Sequence, residues 1–139
     1  MRHRVTRSKR AARRGAALVE FALVAPIFLL LVVGSIEFGR AIMVQEALTN
    51  ASREGVRTGI EDGSLTTDVT TAVNNYLTDM SISGASTSVT PADPGTTSGG
   101  TEVTVTVSIS YSSISWVPSP MFLKNTTLSA TSVMQRQYK

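Results

Sequence analysis

Few side chains in this sequence are able to carry out chemistry. The chain of 139 residues contains no cysteine and a single histidine, His3. A disulfide, a thiolate zinc site and a cysteine nucleophile are therefore excluded, and a Ser-His-Asp triad or a histidine metal cluster is disfavoured. The acids are scattered apart from the adjacent Glu61 and Asp62. We therefore expect a noncatalytic protein with no cofactor and no small-molecule substrate.

One acid, Glu20, has an unusual position because it lies within a long apolar stretch. Residues 16–36 read AALVEFALVAPIFLLLVVGSI and hold no other charged residue. As a helix, this stretch is roughly 31 Å long, close to the roughly 30 Å thickness of the hydrocarbon core of a bilayer. Insertion of its Leu, Val, Ile and Phe side chains outweighs the cost of one carboxylate near a helix end. The sequence therefore predicts a transmembrane helix over 16–36, with a kink at Pro26.

Charge is distributed unequally along the chain. The first fifteen residues contain seven cations and no acid, which leaves six cations against ten acids in the rest of the chain. By the positive-inside rule, this bias places the N-terminus in the cytoplasm and the residues after 37 on the outer side of the cytoplasmic membrane. Cations that act as a topology signal do not indicate a nucleic-acid partner. The three cations nearest the span are Arg10, Arg13 and Arg14.

Three kinds of membrane segment have a basic N-terminus followed by an apolar helix. A secretory signal would have a shorter apolar region and a small-x-small cleavage site, which Gly34 and Ile36 match poorly. An uncleaved signal anchor fits the length and the charge but gives no reason for Glu20. Residues 13–21, RRG followed by AALVEF, resemble a type IV prepilin signal, which joins a basic leader ending in glycine to an apolar helix with an early glutamate and so accounts for all of these features. The simple anchor with a small extracytoplasmic binding domain, unrelated to pili, remains the alternative.

The residues around the start of the span resemble a known family. Residues 14–26, RGAALVEFALVAP, are similar to the opening of TadE-like proteins, the minor pseudopilins of tight-adherence (Flp-type) pilus systems. The sequences FGR at 38–40 and ASREGVR at 51–57 are similar to that family too. The resemblance covers roughly residues 13–60.

The resemblance implies a role for each of four residues. A membrane aspartyl prepilin peptidase would cleave between Gly15 and Ala16 on the cytoplasmic face. Glu20 would pair with the free amine of a mature subunit, its own or a neighbour's, and so set the register of subunit packing. The alternative is that its carboxylate only snorkels to the lipid headgroups. Phe21 stands where major Flp pilins usually have tyrosine, which favours a minor pseudopilin. The expected partners are the membrane, the peptidase, other pilin-like subunits and Tad pilus assembly proteins.

The whole chain is predicted to have an α+β fold, with a long N-terminal transmembrane helix followed by a small exported domain. That domain would hold one helix and an antiparallel β-sheet, as pilin-like proteins do. The predicted segments are a basic cytoplasmic leader (1–15), the transmembrane helix (16–36), a helical stalk (37–60) and the exported α+β domain (61–139).

The pattern of apolar residues places the elements of the exported domain. Apolar residues at steps of three and four predict a helix over 65–80. Strict alternation predicts a strand over 101–111, with valines and Ile109 on one face and Thr and Ser on the other. Weaker patterns predict strands near 87–90 and over 126–135, the second pairing antiparallel with 101–111.

The chain between the last two predicted strands is apolar and contains Trp116, Met121 and Phe122. Pro118 and Pro120 interrupt strand pairing in this segment. We expect its large side chains to pack into the core, with contact to a partner subunit as the alternative.

Overall fold

A computed structural model describes residues 6–137, with side chains from residue 14 onward. The chain forms two compact units, which divide between Ile36 and Glu37. The first helix, α1, contributes residues to both units. In chain order the elements are α1 (Thr6–Gly59), α2 (Thr66–Asp79), β1 (Ser86–Thr90), a 3-10 turn (Pro94–Thr96), β2 (Glu102–Ser110), α3 (Tyr111–Ile114) and β3 (Thr127–Gln135).

The first unit contains the part of α1 that is apolar on every side. Its large apolar side chains between Leu18 and Leu31 are exposed, and that of Phe21 is 70% exposed. Such a helix is stable in water only when other protein covers it, and none of this stretch is buried within the described chain. By length and composition, the helix Arg14–Gly59 contains a segment able to cross a bilayer. The protein therefore fits a single-pass membrane anchor followed by a soluble domain.

The second unit has its core between two helices and one face of a sheet. Buried residues on each helix recur at steps of three and four, which place side chains on one helix face. Those on the central strand alternate, as expected for a strand with one buried face. The core side chains include Val44, Leu48, Ala51 and Val56 on α1, Val69, Val73 and Leu77 on α2, and Val103, Val105, Val107 and Ile109 on β2.

The sheet of the second unit has three strands in the order β1-β2-β3, and both pairs are antiparallel. In the register, Val105 on β2 lies between Val89 on β1 and Ser132 on β3. The predicted strands over 101–111 and 126–135 are confirmed within one residue at each end. The predicted α+β fold, with its antiparallel sheet and the helix now seen as α2, is confirmed as well.

Close packing of α1 depends on a glycine. A Cβ atom built on Gly55 would lie 2.6 Å from Cγ2 of Val73 and 3.2 Å from Cγ1 of Val105. Gly59 is less crowded, with its nearest neighbour, Cγ1 of Val103, at 3.1 Å. Gly55 therefore allows α1 to approach both α2 and β2 more closely than any side chain would permit.

The expectation that the apolar segment after β2 packs into the core is wrong for its largest side chains. Trp116 is 63% exposed, Met121 is 64% exposed and Phe122 is 53% exposed. The buried face of β2 is already covered by α1 and α2, so these side chains have no core to enter. Residues 116–123, named here the apolar loop, therefore present their large side chains on the surface.

Candidate functional site

The site residues predicted from the sequence lie together at the start of the apolar helix. Ala16, Glu20 and Phe21 are all in α1, within the first unit, and all are exposed. Ala16 and Glu20 are four residues apart, so the helix places them on the same face, one turn from each other. The helix thus positions a carboxylate one turn from the residue predicted to become the new N-terminus.

Arg14 and Gly15, which precede this turn, are not packed against other residues. A Cβ atom built on Gly15 would meet nothing within 4 Å, so no packing in the described chain requires glycine at this position. Arg14 is exposed, whereas the side chains of Arg10 and Arg13 lie outside those described. Pro26 lies inside α1, and the kink there stays a prediction.

A second cluster of functional groups lies at the start of the second unit, around Glu37. This carboxylate is fully buried, and three successive backbone N–H groups of the apolar loop donate hydrogen bonds to it. Met121 donates to Oε1 over 2.6 Å, while Phe122 and Leu123 donate to Oε2 over 3.0 and 3.1 Å. Burial alone would raise the pKa of Glu37, but the three donors outweigh it, and the pKa lies below its ordinary value of 4.5.

One helical turn further along, Arg40 binds the same segment of chain. Its Nε donates to the carbonyl of Ile114 over 3.1 Å, and its guanidinium carbon lies 4.7 Å from the centroid of the Trp116 ring. The side chain is buried, so the stacking on the indole is partly desolvated and stronger than it would be in water. Arg40 therefore fixes both the end of α3, just before the apolar loop, and the position of the loop's tryptophan.

Tyr111 completes this arrangement, which we call the anchoring cluster (Glu37, Arg40 and Tyr111). The phenol of Tyr111 donates to the backbone carbonyl of Glu37 over 2.8 Å. Burial raises the pKa of Tyr111, and a hydrogen bond from Ser115 and the charge of Arg40 counter this only in part. The phenol is therefore protonated at neutral pH and serves as a hydrogen-bond donor.

The anchoring cluster was not identified from the sequence, although one signal for it exists. Glu37 and Arg40 are followed at helical spacing by Val44 and Leu48, and all four are buried on α1. Charged residues on the apolar face of a helix are buried only when they are paired or hydrogen-bonded. That alignment of charge with the apolar stripe would have indicated partners elsewhere in the chain.

An open groove of about 550 Å³ lies on the second unit beside the outer side of α1 and Leu128 of β3. Its lining includes the polar side chains of Gln45, Glu46, Thr49 and Asn50, and the hydroxyl of Thr49 donates to the backbone carbonyl of Gln45 over 2.8 Å. Among the described residues, no group of three or more His, Asp or Glu is placed to hold a metal ion.

The early glutamate, the apolar helix and two members of the anchoring cluster all fall in one stretch of chain that also matches a protein family. Residues 15–57 match the TadE-like protein family. The resemblance inferred from the sequence is thereby confirmed. TadE-like proteins are pilus components, and the match supports a membrane protein associated with a Tad pilus. No curated protein and no solved structure matches the chain.

The TadE-like segment has informative limits. It begins at Gly15, after the basic residues, and ends at residue 57, two residues before the end of α1. It therefore includes Glu20, both charged members of the anchoring cluster and Gly55. The sheet and the apolar loop lie outside it.

Proposed function

We propose that this chain is a minor pseudopilin, a noncatalytic membrane-anchored component of Flp/Tad pilus assembly. Residues 1–15 act as a cytoplasmic leader that a prepilin peptidase removes between Gly15 and Ala16. Residues 16–36 hold the mature subunit in the cytoplasmic membrane, and the domain after Glu37 lies on the outer side. Its partners are the peptidase, other pilin-like subunits and the Tad pilus assembly proteins.

The observation that carries this proposal is the TadE-like match together with its starting point. The match begins at Gly15, the residue after which cleavage is proposed, and the seven cations precede or flank that position. An apolar helix that retains a carboxylate at Glu20 supports the same conclusion, because an ordinary anchor gains nothing from that charge. The exposed helix face that carries Ala16 and Glu20 is free to pair with another subunit.

Cleavage tests the proposal directly. When the full chain is coexpressed with a prepilin peptidase, intact-mass analysis of the membrane-extracted protein is expected to show a product that lacks residues 1–15. Gly15→Leu is expected to abolish this product, because a branched side chain obstructs the extended backbone in a protease cleft. Since a Cβ at Gly15 meets no neighbour, the substitution is expected to leave the fold unchanged.

A matched control uses a second open glycine of the same helix. A Cβ on Gly39 also meets nothing within 4 Å, so Gly39→Leu is expected to be cleaved like the original chain. Retention of the leader in the presence of an active peptidase would instead support the plain signal anchor. Cleavage beyond Ile36 would indicate an ordinary secreted protein.

Removal of the carboxylate tests the assembly role of Glu20. Glu20→Ala is expected to insert and to be cleaved normally, but its recovery in cross-linked complexes with other pilin-like subunits should fall by roughly tenfold or more, because an amine loses its partner in a low-dielectric setting. Leu23→Ala, an exposed neutral change on the same helix, serves as the control. Normal pilus formation by Glu20→Ala would remove the pairing role.

A further inference from the structure

The apolar loop is unusual for a surface segment because it exposes three large apolar side chains and carries no charge. Trp116, Met121 and Phe122 are each more than half exposed. Residues 103–123 contain no Asp, Glu, Lys or Arg. Single exposed apolar residues are ordinary on a protein surface, but several in one uncharged loop indicate a contact with something apolar.

The anchoring cluster determines where in the molecule this loop lies. Glu37 directly follows Ile36, the last residue of the proposed span, and it binds the backbone of residues 121–123. Arg40, which stacks on Trp116, follows Ile36 by four residues, and helical rise limits that separation to about 6 Å. The loop is therefore bound to residues that follow the span in the chain by no more than four positions.

This separation matches the thickness of the interfacial layer of a bilayer. The headgroup regions add about 5–7 Å to each side of a hydrocarbon core of about 30 Å. Tryptophan is enriched in this layer, where its ring contacts acyl chains and its N–H contacts water and headgroups. No residue of the loop itself is charged, and the N–H groups of residues 121–123 already have Glu37 as their acceptor. Arg40 and Glu37, the charged residues that hold the loop, are already buried.

We propose that the apolar loop inserts Trp116, Met121 and Phe122 into the interfacial layer of the same bilayer that holds residues 16–36. The loop is then a second membrane contact, separate from the span, and the anchoring cluster holds it rigidly on α1. Two contacts restrict the tilt and rotation of the domain relative to the bilayer, which a single helix does not. The proposal rests on the membrane anchor of the proposed function, but it requires neither cleavage nor a pilus.

The chain provides its own probe, because Trp116 is its only tryptophan. The full chain is reconstituted in phosphatidylcholine and phosphatidylglycerol vesicles, prepared either with ordinary lipids or with lipids brominated near the top of the acyl chain. Bromine quenches tryptophan fluorescence only over a short distance. We expect Trp116 to emit at shorter wavelength than in water and to lose most of its intensity in the brominated vesicles.

A matched control places the probe elsewhere on the same domain. Val133 on β3 is apolar and 52% exposed, and it pairs with Thr104. Thr104 lies six residues along β2 from Ser110, the residue that precedes Tyr111 of the anchoring cluster. Six residues of a strand correspond to about 20 Å. The double variant W116F/V133W is therefore expected to remain unquenched. In the variant M121S/F122S, Trp116 should be quenched less, because two of the three inserted side chains are lost.

Each other outcome overturns the proposal in a distinguishable way. An unquenched Trp116 in protein that floats with the vesicles would show that the loop stays in water while the anchor holds. Protection of Trp116 from acrylamide without quenching by brominated lipid would show that another protein subunit covers the loop instead. Failure of the protein to float with vesicles would refute the anchor itself, and with it both this inference and the proposed function.

Discussion

Replacing Glu37 with glutamine is expected to release the apolar loop from α1 while both helices and the sheet remain folded. Glutamine keeps one acceptor oxygen but presents an NH₂ donor to the backbone N–H groups that now bind the second carboxylate oxygen. At least one backbone donor is left without a partner in a buried site. Cleavage within the loop should become roughly tenfold faster, the factor that corresponds to about one lost hydrogen bond.

Chymotrypsin is a suitable protease for this measurement, because Trp116 and Phe122 are the side chains it selects. The rate is followed on the full chain in detergent micelles, where no bilayer covers the loop, with mass spectrometry to identify the cut. The matched control is Glu54→Gln, an exposed acid on the same helix, which should leave the rate unchanged. Equal rates for Glu37→Gln and the original chain would mean that other contacts hold the loop.

The same carboxylate predicts the direction of a pH dependence. The pKa of Glu37 lies below 4.5 in the folded protein, so its ionised form stabilises the bound loop fully at pH values above 4.5. As the pH falls below that value, the released state takes up a proton first, and the stabilisation decreases until the bound carboxyl is protonated too. Loop cleavage by an acid-tolerant protease should therefore accelerate below pH 4.5 in the original chain and much less in Glu37→Gln.

The features that the sequence alone can predict are those formed by residues close together in the chain. The strand β2 follows from the alternation of Val103, Val105 and Val107 with threonines, because a strand sends neighbouring side chains to opposite faces. The proposed processing site likewise depends on neighbours in sequence, since Gly15, Ala16 and Glu20 lie within one turn and a half of a single helix.

The anchoring cluster depends instead on partners that no sequence pattern reveals. Glu37 binds backbone N–H groups 84 to 86 residues away, and every residue other than proline has such a group. The burial of Trp116 was predicted wrongly for a related reason. Hydrophobicity shows that a side chain gains by leaving water, but only the fold shows whether the core has space left for it.

The second large effect is expected at Gly55, where α1 contacts both α2 and β2. Gly55→Ala places a Cβ 2.6 Å from Val73 and 3.2 Å from Val105, closer than van der Waals contact allows, so the helices and the sheet must move apart. Overpacking of this kind lowers the free energy of unfolding by about 1–3 kcal/mol. For a domain of this size, the melting temperature should fall by about 5–15 °C. Circular dichroism of the full chain in detergent micelles measures it.

Two other glycines of α1 turn this prediction into a graded series. Gly39 has no neighbour within 4 Å of a built Cβ, so Gly39→Ala should be neutral or stabilise the helix by up to about 1 kcal/mol. Gly59, with its nearest contact at 3.1 Å, should give a loss smaller than that of Gly55. Helix propensity alone predicts that alanine raises stability at both Gly39 and Gly55. Packing predicts that alanine raises stability at Gly39 and lowers it at Gly55. Equal melting temperatures for Gly55→Ala and Gly39→Ala would therefore show that α1 does not approach α2 and β2 as closely as described.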